Sequence, residues 1–214
     1  MTKTVLVTGF EPFNGATINP AWEAVRALAS WQGNGFVVEL RKLPCVFGLA
    51  NQQLAKVVRE VRPDIVIVVG QAGGRADVTV ERVAINIDDA SIVDNQQQQP
   101  VDTPIVADGP AAYFSTLPIK AIVREMRARG VAASVSQTAG TFVCNHVFYG
   151  LMHLVRGLPV RAGFIHVPYL PMQAAEFPGA PSMSLDDICT GLRAAVEVSV
   201  ALERDVSEAG GATH

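Results

Sequence analysis

Short apolar runs and stretches of helical period alternate along the chain from end to end. Residues 5–8 (VLVT), closed by Gly9, read as a buried strand, and residues 36–43 (FVVELRKL) as a second. Residues 64–69 (DIVIVV), the most hydrophobic run, predict a strand ending at Gly70, and residues 133–137 and 163–167 predict two more. Helical spacing falls between them. Asn19 is placed to cap a helix that starts with Pro20 and runs through AWEAVRALAS. Further helices are predicted over 47–61, stopping before Arg62-Pro63, over 111–129 with Gly130 as its cap, over 144–156 and over 185–204. Residues 78–87 (VTVERVAINI) alternate and predict strands or a hairpin. Residues 88–110 carry four consecutive Gln with Pro100, Pro104 and Pro110, and read as a partly mobile excursion over the surface.

Strand and helix alternating at this spacing imply βαβ crossovers: an α/β fold with a largely parallel central sheet and helices on both faces. A chain of 214 residues fits one domain, taken as 1–206, with the small polar tail 207–214 frayed. In such sheets ligands bind beyond the carboxyl ends of the strands. The segments leaving those ends are 9–13 (GFEPF), 70–74 (GQAGG), 138–144 (TAGTFVC) and 166–169 (HVPY), and they are the most unusual in the chain.

Composition narrows the function. Hydrophobic residues make up 49% and charged residues 17%, enough for a buried core and for a sheet covered on both faces. The formal charge of −3 comes with no basic stripe, which argues against nucleic acid as a partner. The N-terminal apolar run is broken by Thr8, Gly9 and Glu11, too soon for a signal segment, and no run of ~20 apolar residues exists to span a bilayer. The expectation is a cytoplasmic protein with no membrane partner.

Three cysteines at wide spacing, Cys45, Cys144 and Cys189, offer neither a disulfide framework nor a CxxC metal site. Cys144 stands apart because it follows a glycine-containing turn and begins a predicted helix. There the helix dipole and free N–H groups would lower the thiol pKa and could receive an oxyanion. The plain alternative is a small buried hydrophobe. A thiol nucleophile needs a base. His214 is terminal, His153 lies nearly three turns along the helix, and His146 points about 200° round it from Cys144. His166, at the end of a strand, is the best placed, although a hydrogen-bonded structural histidine fits as well. For the acid that would orient it, Glu81 on a regular element stands slightly ahead of Asp94. The GQAGGR loop is neither GxGxxG nor a P-loop, so its glycines read as a turn with close backbone approach.

These residues also spell out a resemblance. Residues 70–86 (GQAGGRADVTVERVAIN) and 131–145 (VAASVSQTAGTFVCN) resemble the glutamate and cysteine signatures of the pyroglutamyl peptidase I family. VTGFEPFNG, INPAWEAV, GPAAYFSTLPIK and GFIHVPYLP are similar to it as well, so the likeness spans about residues 4 to 200. It implies an α/β/α sandwich and a cytoplasmic thiol peptidase without metal or cofactor, commonly a homotetramer. That enzyme would remove N-terminal pyroglutamate from peptides through a Cys–His–Glu triad and a thioester. The triad falls on Cys144, His166 and Glu81; the lactam pocket falls on Phe10, Phe13, Phe142 and Val143 as walls, with Asn19 and Gln71 nearby. The chain departs from the usual pattern at Ser91, where many members have arginine, and at Asn14, where many have glycine. An active enzyme with an altered rate or pH profile is the expectation. The rival readings are a nucleoside-phosphorylase-like enzyme and a binding protein that has kept the fold without the activity.

Overall fold

The computed structural model describes residues 2–29, 31 and 33–211. In chain order the elements are β1 (Lys3–Phe10), α1 (Pro20–Arg26), β2 (Phe36–Leu43), α2 (Leu49–Val61), β3 (Ile65–Gln71), β4 (Val78–Glu81), β5 (Val83–Ile85) and β6 (Ala112–Phe114). They continue with α3 (Ile119–Ala128), β7 (Ala133–Ser136), α4 (Val143–Leu154), β8 (Arg161–Val167), the single turn α5 (Pro171–Ala174) and α6 (Leu185–Ala201). Local chemistry sets many of the boundaries. Asn19 Oδ1 accepts the Ala21 N–H ahead of α1, and Pro20 occupies the first helical position, where no N–H is needed. Arg62, left-handed at φ 50°, ends α2 just before Pro63. Ser184 caps α6, whose first turn carries Asp186 and Asp187 at the positive end of the dipole.

Six strands form one sheet in the order β2-β1-β3-β8-β4-β7. Period-2 alternation sends its two faces into two cores. Val5, Val7, Ile65, Ile67, Val78, Val80 and Ile165 pack on α1, α3 and α6. Leu6, Phe10, Val66, Val68, Ala162 and Phe164 pack on α2 and α4. The result is three layers around a mostly parallel sheet, as expected, with β3 buried on both faces along nearly its whole length.

Of the strands or hairpin expected over residues 78–87, strands form: β4 enters the main sheet, while β5 pairs antiparallel with β6 in a separate two-stranded sheet. Two local readings are corrected. The helix expected from residue 111 begins only at Ile119. Ala112–Phe114 is the strand β6, and Pro118 interrupts the backbone pattern before α3. Most consequentially, β4 runs antiparallel to β8, and β7 runs parallel to β4. The carboxyl ends of β4 and β7 therefore do not point to the same edge as those of β1, β3 and β8.

The excursion 88–110 is anchored at several points. Asp88 and Thr103 exchange backbone hydrogen bonds, Asn86 holds Val106 and Gly109, and Asn95 donates to the Cys45 carbonyl and to Glu11 Oε1. Residues 207–211, expected to fray, lie against α3: Arg124 pairs with Glu208, and Arg82 donates to the Gly210 carbonyl. Residues 212–214, including His214, lie outside the described residues.

Candidate active site

The site forms on the α2/α4 face, where strand polarity reverses between β8 and β4. Register places Gly70 of β3 beside His166 of β8, and Thr79 of β4 opposite His166 on its other flank. Glu81, two residues beyond Thr79, shares that face and has no exposed surface. Its Oε1 lies 2.7 Å from His166 Nδ1. A carboxylate can only accept, so Nδ1 carries the ring proton and Nε2 keeps the lone pair. Cys144 reaches this face from the start of α4. Its Sγ and Phe164 Cζ lie 2.9 Å and 2.7 Å from where a Gly70 Cβ would stand, so the sulfur needs that glycine's empty space. The His166 ring packs 4.7 Å from the Phe164 ring, which joins both groups in one cluster. The carboxyl end of β7 points away from this edge, yet the 137–142 segment carries the chain back to begin α4 there. Phe142 offers α4 no side-chain cap, and the first-turn N–H groups, including that of Cys144, have no intrahelical acceptor.

The electrostatics differ from the expectation for Cys144. Burial, then the Glu81 carboxylate, push its thiol up to about 12, with Arg75 opposing. Burial lowers His166 below the ordinary imidazole value, Glu81 pulls it back up, and Arg75 adds to the drop. Both directions favour a neutral thiol beside a neutral imidazole at rest. Desolvation outweighs the helix dipole invoked to activate the cysteine. Cys144 as a residue keeps partial exposure.

The expected pocket residues are brought together unevenly. Phe13 and Phe142 lie 6.0 Å apart, and Phe47, which the sequence did not single out, meets Phe142 edge-on at 5.3 Å. Phe10 is buried and packs on Phe164 at 6.3 Å; Val143 is buried at the first position of α4. Gln71, half-buried at the end of β3, accepts at its Oε1 from Gln173 Nε2 at 3.1 Å. Asn19 caps α1 with its carbonyl, and its amide donates to the Glu11 carbonyl at 3.1 Å.

The competing histidine and acid have other work. His146 accepts the Gly48 N–H at Nε2 and contacts Asp88 through Nδ1 at 2.8 Å. Asp94 accepts the N–H groups of Phe47, Gln96 and Gln98 and touches no histidine. Cys45 and Cys189 are buried. In the 70–74 loop, a side chain at Gly73 would collide with the Tyr169 ring, so the loop packs on protein instead of cradling a phosphate. Arg75, the residue that ends GQAGGR, was given no role on sequence grounds, yet it donates to Glu81 Oε1 at 2.6 Å. No periodicity or spacing marks such a contact. Asn14 adopts φ 52°, a left-handed value that glycine takes freely and asparagine tolerates, while Ser91 is exposed. Among the described residues there is no His/Cys/Asp/Glu cluster that could hold a metal ion, and no helix is long and apolar enough to cross a membrane.

Comparison with known proteins places the chain in a family. The family model described as pyroglutamyl peptidase (peptidase C15) matches residues 3–202. The pyrrolidone-carboxylate peptidase of Cupriavidus taiwanensis is 61% identical over 214 residues, covering 99% of each chain. That of Bacillus cytotoxicus is 55% identical, covering 99% of this chain and all of its own. Among solved structures, pyroglutamyl peptidase I from Bacillus amyloliquefaciens superposes with a TM-score of 0.95 at 46% identity, covering 98% of this chain and 100% of that one. A variant pyrrolidone carboxyl peptidase from the hyperthermophile Pyrococcus furiosus gives 0.89 at 43% identity over 92% and 98%. The chain belongs to the pyroglutamyl peptidase family.

Proposed function

We propose that this protein hydrolyses the bond between an N-terminal pyroglutamyl residue and the rest of a peptide, with Cys144 as nucleophile, His166 as general base and acid, and Glu81 as the carboxylate that orients His166. The observation that carries the reading is the 2.7 Å contact between His166 Nδ1 and the unexposed Glu81 carboxylate, on the same face as the Cys144 sulfur. His166 Nε2 takes the thiol proton as Sγ attacks the pyroglutamyl carbonyl, and the imidazolium that forms rests on Glu81. The oxyanion faces the free N–H groups at the start of α4. Collapse expels the peptide amine, which takes the proton from His166 and leaves a thioester on Cys144. Water, deprotonated by His166, then releases pyroglutamate and restores the thiol. Phe10, Phe13, Phe142 and Val143 suit a small, flat, uncharged lactam, with Gln71 and Asn19 as the nearby amide groups. A prolyl residue would carry a charged amine into this apolar recess without a partner. A cytoplasmic homotetramer is part of the same proposal, by analogy with the family.

The test is release of a fluorogenic amine from a pyroglutamyl conjugate and its prolyl counterpart, before and after thiol alkylation. Selective release that alkylation abolishes is the expected result. Release that survives alkylation, or no preference for pyroglutamyl, overturns the reading.

A further inference from the structure

Glu81 is an unusual carboxylate. It has no exposed surface, and only one of its oxygens is engaged: Oε2 has no partner among the described residues. Oε1 takes two donors, His166 Nδ1 at 2.7 Å and Arg75 Nη1 at 2.6 Å. A buried charge left unpaired is costly, and a neutral imidazole alone does not compensate it. A carboxylate held at one oxygen can also turn about its last torsion and offer the other oxygen to the ring.

Arg75 removes both problems. The same Nη1 donates to Thr79 Oγ1 at 2.5 Å, and Nη2 donates to the Thr138 carbonyl at 2.9 Å. The residue itself sits in the turn after β3, its N–H directed at the Ala72 carbonyl. One planar, permanently charged group thus joins the Gly70 loop, the strand bearing Glu81 and the turn leading to Cys144. Its side chain is 28% exposed, enough to keep contact with water while its donors face inward.

We propose that Arg75 is a positioning residue of the reaction: it fixes the Glu81 oxygen that holds His166 and ties that oxygen to the segment carrying Cys144. The inference rests on the triad reading. Arg75 acts through Glu81 and touches neither the thiol nor the site of attack. Its charge has a second consequence, of known sign. The groups facing His166 are Glu81 and Arg75; those facing Cys144 are Glu81 and Arg75, with Cys45 beyond it in the turn after β2. Removing a cation makes imidazolium easier and thiolate harder to form, so both titrations move to higher pH.

The experiment is the pH dependence of kcat/KM, with kcat and KM separately, for the wild type, Arg75→Gln and Arg75→Lys. The glutamine variant is expected to lose about 10²-fold in kcat with KM little changed, the effect of a catalytic group displaced by about 1 Å. Both limbs of its profile move to higher pH. Lysine keeps the charge and loses the fork, so it recovers part of the rate and returns both limbs to the wild-type position. Wild-type kcat in Arg75→Gln overturns the inference. So does equal loss in both variants with unmoved limbs, which would make Arg75 a structural residue only. If the glutamine variant does not fold, Arg75→Lys is read alone: kcat lowered about 10-fold with KM and melting temperature unchanged supports the role, and wild-type kcat, or a loss matched by a lowered melting temperature, overturns it. Wild-type release that survives alkylation would count against the triad itself, whereas an alkylation-sensitive wild type with an indifferent Arg75→Gln sinks only this inference.

Discussion

At Cys144 two effects of opposite sign meet. A helix start stabilises thiolate, whereas burial and a neighbouring carboxylate destabilise it, and here the second pair wins, pushing the thiol up to about 12. His166 is lowered by burial as well, so both directions favour a neutral pair at rest; on the proposed mechanism, proton transfer then accompanies attack. The consequence is measurable without substrate. Removing a proton from a thiol raised this far becomes easier throughout the alkaline range. The rate of Cys144 alkylation should therefore still climb between pH ~7 and ~9, where a preformed ion pair would have levelled off. A plateau from pH ~6 upward would contradict the neutral-pair reading. At the same scale the sequence was readable in part. Cys144, His166 and Glu81 stood out because each sits where an element starts or ends, or interrupts an apolar alternation. Arg75 did not, since its hold on Glu81 depends on a turn folding back on the following strand. Asn19, placed ahead of Pro20, was legible as a helix cap, and its side chain does that work.

At the scale of elements, close approach replaces chemistry as the constraint. Gly70 lets α4 bring Cys144 against β3, because any side chain there would meet Phe164 and the sulfur at under 3 Å. Gly70→Ala is expected to cost about 1–3 kcal/mol through overpacking and to lower kcat far more than that loss of stability alone would. Steady-state kinetics beside a denaturant melt separates the two; wild-type kcat would show that the sulfur does not need this space. The turn between β2 and α2 carries a different constraint. Three acceptors from three other segments hold it: Glu11 takes the Cys45 N–H, Asp94 that of Phe47, and His146 that of Gly48. Together they set Phe47 against Phe142. Asp94→Ala leaves the buried Phe47 N–H unpaired and should destabilise the fold by about 1–3 kcal/mol. Thermal unfolding is the check, and an unchanged melting temperature would refute the clamp. The capped helix α1, the strand β3 and the proline-stopped α2 were legible because their signals are local. β6 was not: its three residues sit in a helical hydrophobic pattern, and their strand geometry comes from pairing with β5, a partner far off in sequence.

For the whole molecule, three layers with a mostly parallel sheet could be foreseen from the alternation of strands and helices. The polarity reversal between β8 and β4 could not, because local pattern carries no information on which distant strand a segment will join. That reversal matters to the site. It sets Thr79 opposite His166, so Glu81 approaches the imidazole from a neighbouring strand, while Gly70 and Cys144 approach from the other side. The proposed site lies at the carboxyl ends of β1, β3 and β8, where the rule for parallel strands expects it, and α4 is delivered to that edge by a connection instead of by the direction of β7. On the proposed reading, the sheet and the helix layer bearing α4 supply a nucleophile, a base and an orienting acid from three different elements, beside the paired rings of Phe13 and Phe142. The most direct test of that assembly is the rate of pyroglutamyl amide cleavage by Cys144→Ala, with Cys45→Ala and Cys189→Ala measured alongside. Loss of turnover in the folded Cys144→Ala protein, with activity kept in the other two, is the expected result; turnover retained in Cys144→Ala would contradict the account at its centre.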